Sequence, residues 1–415
     1  MHRKLMPITR SGEGWYRDDR RYRVFQKIMA QAGTSLGYFE PRYSPNGHVI
    51  SDRTGAEIIN FSGYDYLSLI RHPDVRHAAR DAVERFGSSA GASRLVSGET
   101  PLHKALESRI ARFVGVESAL SFVSGHGTNV TIIGFLFGKG DLILHDACIH
   151  NSVLEGIRLS GAERWSFAHN DVQDLERKLA SAGRFKNVLV VVEGVYSMDG
   201  DVPDLAGIVD LRTRHDFVLM VDEAHALGTV GRTGHGIAEH CRVSPQQVDL
   251  WIGTLSKTLV SCGGYVAGRR DLIDFLKYNC PGFVFSTGLP PVNAAAALAA
   301  LTILERSPER VLELQDKAAY FQRQARLANL NIGTAGSTPV FPVYLPQDAA
   351  IAAGGALRAQ GINTFPIIYP AVPKHAARVR FFINRDHRYE QLDRAIGVLS
   401  DFITCHATPA AGYAV

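Results

Sequence analysis

The sequence predicts an α/β protein, a mostly parallel sheet covered by helices, followed by a smaller C-terminal α+β unit. Short runs of Val, Ile and Leu with almost no polar interruption recur between about Asn60 and Ile252. Strands buried on both faces read this way, whereas strands with one wet face alternate. The segments between these runs are long enough for crossover helices. Beyond about Asn293 the texture shifts to a long amphipathic helix and then β-rich stretches, which marks the second unit.

In chain order, residues 1–58 read as an N-terminal arm. Pro73–Phe86 and Pro101–Phe113 have helical spacing, each with a proline in the first turn, where its missing N–H leaves nothing unpaired. Strand-like runs follow at Ala119–Val123, Leu142–Leu144, Asn187–Val192, Phe217–Val221 and Leu250–Ile252. The Ala-rich stretch Ala294–Ala300 belongs to a buried helix ending near Glu305. Pro308–Leu330 reads as an amphipathic helix, and Val340–Tyr344, Phe365–Ile368 and Val379–Ile383 as strands. The expected units are the arm, a large ligand-binding domain over 59–295 and a small domain over 296–415.

Composition narrows the class of protein. The chain has 415 residues, 46% hydrophobic and 21% charged, with a net charge of +4. So small and scattered a surplus is no nucleic-acid footprint. The five cysteines, Cys148, Cys241, Cys262, Cys280 and Cys405, form no CxxC pair and no ligand-spaced cluster, so no metal site is expected. Their odd number suits a reducing cytoplasm. Met1–Arg10 is basic, but no apolar segment follows it as a signal peptide requires, and no window reaches membrane-spanning length.

The chemistry sits where strands end, because open α/β sheets bind ligands beyond the carboxyl ends of their strands. Phe217–Val221 runs into Asp222-Glu223-Ala224-His225, and Trp251–Ile252 into Gly253-Thr254-Leu255-Ser256-Lys257-Thr258. An aspartate at the tip of a buried strand is costly unless a cation or donor meets it. By itself such an Asp is more often a helix cap, and a lone Ser-Lys a surface feature. Together they are the two groups pyridoxal phosphate requires, an anion for the pyridine nitrogen and an amine for the aldehyde. Ser124-Gly125-His126-Gly127-Thr128-Asn129 follows a predicted strand and opens a helix, which offers N–H groups to a phosphate.

These segments, with Gly91-Ala92-Ser93-Arg94, Phe167–Asp171, Ser197-Met198-Asp199-Gly200, Gly263-Gly264-Tyr265 and Phe285-Ser286-Thr287, resemble the α-oxoamine synthases from about Ile59 to Asp401. The resemblance implies a fold-type I pyridoxal-phosphate transferase, a homodimer with active sites at the subunit interface. It implies Lys257 as the Schiff-base lysine and the base for the Cα proton. A free lysine titrates near about 10.4, so its proton affinity must be lowered. Asp222 is implied to pair with the pyridine N–H and His225 to bond the phenolic oxygen. His150 would stack on the ring and donate to a carboxylate or thioester carbonyl. Gly125 and His126 would offer N–H groups to the phosphate, and Thr254 its hydroxyl. Ser286 and Thr287 would come from the partner subunit, and Ser197 would lie near the ring oxygen. Arg380 would receive the substrate carboxylate in a bidentate fork. Arg378, two residues away on the same strand face, reads as a solvated edge charge.

The reaction implied is condensation of glycine, alanine or serine with an acyl thioester, on coenzyme A or a carrier protein, with loss of carbon dioxide. Asp65 and Ser68, in Tyr64-Asp65-Tyr66-Leu67-Ser68-Leu69, depart from the family pattern, which usually has Asn before Tyr-Leu and Gly after. That segment is expected at the substrate entrance, with Asp65 touching substrate. His126 stands where a larger aromatic or another hydrophobic residue is common. An aminotransferase shares the Asp and Lys but gives no reason for the His150 and His225 spacing. A silent partner subunit would lack Lys257.

Overall fold

The computed structural model describes residues 15–32, 39–52, 54–336 and 338–406. The basic Met1–Arg10 segment therefore lies outside the described residues. Tyr43–Asn46 (β1), Val49–Ser51 (β2) and Glu57–Asn60 (β3) are followed by seven strands of one large sheet. These are Ser118–Phe122 (β4), Leu142–Asp146 (β5), Glu163–Phe167 (β6), Val188–Glu193 (β7), Val218–Asp222 (β8), Leu250–Thr254 (β9) and Gly264–Gly268 (β10). In space they run β4-β10-β9-β8-β7-β5-β6. The β9-β8-β7-β5-β6 portion is parallel, and β10 pairs antiparallel with both β4 and β9.

The central strands show why their sequences are so uniformly apolar. Every residue of β7 (VLVVVE) is buried. Val190 and Val192 join one core, with Leu205, Phe217 and Val221, while Leu189 and Val191 join a second, with Ile133 and Ile273. A strand packed on both faces has no position for a polar side chain except its ends, and each aliphatic side chain so buried contributes about 1.5–3 kcal/mol. The ends are where the polar groups fall. The parallel strands β5, β7, β8 and β9 finish on Asp146, Glu193, Asp222 and Thr254 at one edge of the sheet.

Two strands of the sheet escaped the sequence reading. Edge strand β6 (ERWSF) is largely exposed and carries charge, as edge strands do. Strand β10 begins with glycine, which weakens a strand pattern. Its register sets Tyr265 opposite Gly253, and a Cβ at Gly253 would sit 2.2 Å from the Tyr265 ring.

Helices complete the layers. Pro73–Phe86 packs against Pro291–Arg306, whose Ala294, Ala297 and Ala300 are fully buried. The expected helix over 308–330 runs Glu309–Leu327. Beyond it lie Val340–Tyr344 (β11), Ile362–Asn363 (β12), Phe365–Ile367 (β13) and Arg378–Phe382 (β14). Strands β11-β14-β13 form an antiparallel sheet, while β12 pairs parallel with β3 in a sheet ordered β1-β2-β3-β12. No described helix is long and apolar enough to cross a membrane.

Arg378 corrects the sequence reading. It is not a solvated edge charge but is buried, its Nη1 2.7 Å from Asp199 Oδ1 and 2.8 Å from the Met198 carbonyl. The i,i+2 spacing does put Arg378 and Arg380 on one face, and that face is covered by the Ser197–Asp199 turn. Arg380 Nη1 donates to the Ser197 carbonyl at 2.8 Å.

Candidate active site

A cavity of about 70 Å³ opens at the strand-end edge of the large sheet. Gly125, His126, His150, Asp222, His225, Thr254 and Lys257 all line it, together with Asn129, Ser152 and Glu193. Strand β8 delivers Asp222, the turn after it His225, and the turn after β9 Lys257. The helices Gly125–Leu136 and Asn151–Ser160 aim their first turns inward. At the first of these, the Ser124 hydroxyl accepts from Gly127 N, and the N–H groups of Gly125 and His126 lie at the positive end of the helix dipole. A Cβ at Gly125 would stand 2.8 Å from Thr254 Oγ1, so only glycine leaves this cradle open.

One hydrogen-bond chain fixes protons that the sequence leaves undefined. A carboxylate only accepts, so Asn129 Nδ2 donates to Asp222 Oδ2 (2.7 Å) and, with its other hydrogen, to Ser152 Oγ (2.8 Å). Ser152 must then donate its own hydrogen to His150 Nδ1 at 2.7 Å. The Ser152 backbone N–H points to the same nitrogen at 3.2 Å. Nδ1 of His150 is therefore an acceptor, and neutral His150 carries its proton on Nε2. Burial pushes the His150 pKa down, against the pull of Asp222.

His225 is fixed the same way from the other side. The Tyr66 hydroxyl lies 2.7 Å from His225 Nδ1. Burial holds the phenol far from ionisation, and its hydrogen has no other acceptor among the described residues, so Tyr66 donates to Nδ1 and Nε2 of His225 keeps the ring's hydrogen. Burial, with Lys257 and Arg380 nearby, holds His225 well below the usual histidine range. Its ring stacks on Phe382, with the planes 7° apart.

Lys257 is an amine prepared for reaction. Among the described residues its ammonium makes no hydrogen bond or ion pair, and it stands 5.7 Å from the centroid of the Tyr64 ring. Burial lowers its pKa, while the Asp222 and Glu193 charges oppose that shift. Glu193 stands beside Asp222 in the register of β7 and β8. Burial first, and the Asp222 charge second, push its pKa well up, and its Oε1 has no partner among the described residues.

Other anticipated residues lie apart from the cavity wall. Ser197 sits in the turn that Arg380 holds. Ser286 and Thr287 lie beside Arg94, Ser121 and Gly282 in a separate recess, and Thr287 bridges Ser93. Asp65 is turned into its own loop. Its Oδ1 accepts from Leu69 N at 2.7 Å and its Oδ2 from Ile70 N at 3.2 Å, and burial raises its pKa to about 6. Asp65 thus shapes the segment that presents Tyr64 and Tyr66.

Asn129, Ser152, Glu193, Tyr64 and Tyr66 went unassigned in the sequence. Asn129, Tyr64 and Tyr66 stand inside motifs already singled out there, and Ser152 lies two residues after His150. Glu193 carries the same signal as Asp222, an acid closing a buried Val run.

Asp146, Cys148 and His169 bring donor atoms within 4.8 Å of one another. His169, however, meets a carboxylate on each nitrogen, Asp146 at 2.8 Å and Asp201 at 3.0 Å. These bonds raise its pKa to about 12 against the cost of burial, and a protonated imidazole offers no lone pair to a metal.

The sheet topology, the lysine after β9 and the aspartate ending β8 define a fold-type I pyridoxal-phosphate enzyme. The sequence matches the family model described as aminotransferase class I and II over residues 56–399. Similar proteins include the 8-amino-7-oxononanoate synthase of Anaeromyxobacter dehalogenans, 42% identical over 83% of this chain and 86% of the relative. That of Thermosipho melanesiensis is 39% identical over 90% and 96%. Among solved structures, serine palmitoyltransferase from S. paucimobilis with a bound pyridoxal phosphate–myriocin aldimine superposes with a TM-score of 0.86. It is 27% identical and covers 92% of this chain and 98% of its own.

The chain belongs to the α-oxoamine synthase family. It is a pyridoxal-phosphate-dependent acyltransferase that condenses a small amino acid with an acyl thioester, with decarboxylation, to an α-amino ketone.

Proposed function

We propose that the cavity at the ends of β7, β8 and β9 carries this condensation in a homodimer, with Lys257 both anchoring the cofactor and moving the Cα proton. The observation that carries the reading is the placement of Lys257 and Asp222 on one small cavity whose walls also hold two histidines of fixed tautomer. Pyridoxal phosphate, when bound, supplies an aldehyde for the amines and a ring that takes up carbanion charge.

This chain's residues do the rest. Asp222 holds a proton on the pyridine nitrogen, and Asn129 keeps the carboxylate in place. His225 Nε2–H donates to the phenolic oxygen, and Tyr66 keeps it from turning. The N–H groups of Gly125 and His126, with the Thr254 hydroxyl, hold the phosphate. Ser286 and Thr287, remote from the cavity within one chain, complete that site from the second copy. Arg380, locked to the Ser197 carbonyl, orients the amino-acid carboxylate. Lys257, its proton affinity lowered by burial, would hold the cofactor through its amine and would take the Cα proton as a base. His150 Nε2–H covers the ring and donates to the thioester carbonyl as it gains charge.

The relatives named 8-amino-7-oxononanoate synthase favour alanine, and a cytoplasmic setting suits the cysteine usage. Purified holoenzyme offered glycine, alanine and serine should show an absorbance change with the substrate amino acid. It should release thiol and carbon dioxide only when an acyl thioester, on coenzyme A or carrier protein, is added. Formation of a keto acid from the amino acid alone would replace this reading with transamination.

A further inference from the structure

Tyr66 sets the tautomer of His225, and what sets Tyr66 lies outside the cavity lining, in the turn that carries it. Asp65 is buried there, and its carboxylate accepts from Leu69 N at 2.7 Å and Ile70 N at 3.2 Å. The chain passes close on the other side as glycine, since a Cβ at Gly47 would stand 2.4 Å from Asp65 Oδ2. Ser68 turns the loop at φ 57°, a left-handed conformation that favours glycine. Its hydroxyl donates to Asn384 Oδ1 at 2.7 Å, and Asn384 Nδ2 donates in return to the Asp65 carbonyl. The next two carbonyls are held from distant parts of the chain as well. Tyr66 O accepts from Arg385 N at 2.9 Å, and Leu67 O from Arg310 Nη1 at 3.3 Å.

The lock depends on charge at Asp65. An ionised carboxylate only accepts, which suits two N–H donors at once. Burial raises its pKa to about 6, and the group is still ionised at neutral pH. An asparagine would keep the shape but turn its own N–H groups toward one of those donors. With the loop held, the Tyr66 phenol has one direction. Its ring is fully buried, edge-on to Phe382 at 6.2 Å and 72°, and Phe382 stacks on the His225 ring that the hydroxyl meets.

From this geometry we infer that Asp65 and Ser68 are positioning residues for His225. They fix the loop so that the Tyr66 hydroxyl donates to Nδ1 and leaves the Nε2–H for the cofactor's phenolic oxygen. The inference rests on the proposed bond from His225 to that oxygen, and it reaches past the cavity wall to residues that touch no ligand.

The test follows the absorbance of the pyridoxal-phosphate-loaded protein against pH, without substrate, because hydrogen bonds around the cofactor tune its electronics. Tyr66→Phe should move the absorbance midpoint by about 0.4–1 pH unit, the worth of one hydrogen bond. Asp65→Asn should move it the same way, by at least about half as much. The double variant should go no further than Tyr66→Phe, because both changes act on one bond. A role in folding alone would lower the melting temperature and leave the midpoint in place. Ser68→Gly keeps the turn and removes only the hydroxyl. It should give a smaller shift that also vanishes in the Tyr66→Phe background, and it carries the test if Asp65→Asn fails to fold or to bind cofactor. A folded, cofactor-loaded Asp65→Asn with the wild-type midpoint overturns the inference, as does such a Ser68→Gly. Shifts that add to that of Tyr66→Phe overturn it too. A Tyr66→Phe protein with the wild-type midpoint overturns the reading of His225 beneath it, and the inference with it.

Discussion

Two aspartates end neighbouring regions of the same sheet, and their surroundings could hardly differ more. Asp146, at the tip of β5, is fully buried and saturated. Its Oδ1 accepts from Cys148 N and His169, and its Oδ2 from Asn170 N. Asp222, two strands away at the tip of β8, receives one bond per oxygen, from Ala224 N and Asn129 Nδ2, and faces a cavity. The histidines follow their aspartates. His169 is clamped between two carboxylates and charged, whereas His225 is buried among cations and rings and neutral. A carboxylate whose valences are filled within the chain is architecture. One left facing a cavity beside a lysine is waiting for a ligand.

Substitutions test that contrast, and the largest effect belongs to Asp222. Asp222→Ala should lower kcat of cofactor-saturated enzyme by about 10³-fold, since a preorganised charge beside the reacting system is removed. A loss below tenfold would erase the distinction between the two aspartates. His169→Leu should instead act on the fold, costing about 3 kcal/mol in denaturant titrations because Asp146 and Asp201 lose their shared cation. Specific activity of the remaining folded enzyme should be unchanged. The sign with pH follows from a folded pKa raised to about 12. The His169 contribution is complete below the unfolded value near 6.5 and is lost progressively as pH rises from there through about 12.

A smaller effect is expected at Glu223, next to Asp222 and fully buried. One of its oxygens accepts from Ile237 N while the other has no partner, and its pKa is raised to about 8, chiefly by burial. Because the folded pKa is raised, the protonated form favours the fold, and that stability is lost as pH climbs from the ordinary carboxyl range through about 8. Glu223→Gln, which copies the protonated acid, should gain about 1–2 kcal/mol over wild type at pH 8.5 and nothing at pH 4. Melting curves at the two pH values decide it. An equal shift at both would assign the gain to packing. The smallest effect should come from Ser152→Ala, which frees the His150 ring and should lower kcat/KM by about threefold to tenfold. An unchanged value would detach the Asn129–Ser152–His150 chain from the chemistry.

Much of this contrast is legible in the sequence because it rests on period and position. A run such as Val188–Val192 can be satisfied only by a strand packed on both faces, so the polar residue that follows it must lie at the sheet edge. That logic found Asp222 and Lys257. The partners that decide a polar group's role are distant in sequence and leave no periodic trace. Asn129 reaches Asp222 across 93 residues and Tyr66 reaches His225 across 159. Arg378 was misread for the same reason, since its burial depends on Asp199, 179 residues away. Strand β10 was hidden because glycines placed there for close packing remove the side chains a strand pattern is read from.

The central claim is that Lys257 holds the cofactor. Borohydride reduction of the pyridoxal-phosphate-loaded protein, followed by digestion and peptide mass spectrometry, tests it directly. The pyridoxyl mass should appear on the peptide containing Lys257 and vanish in Lys257→Ala. A label on another lysine, or labelling of Lys257→Ala at the wild-type level, would contradict it.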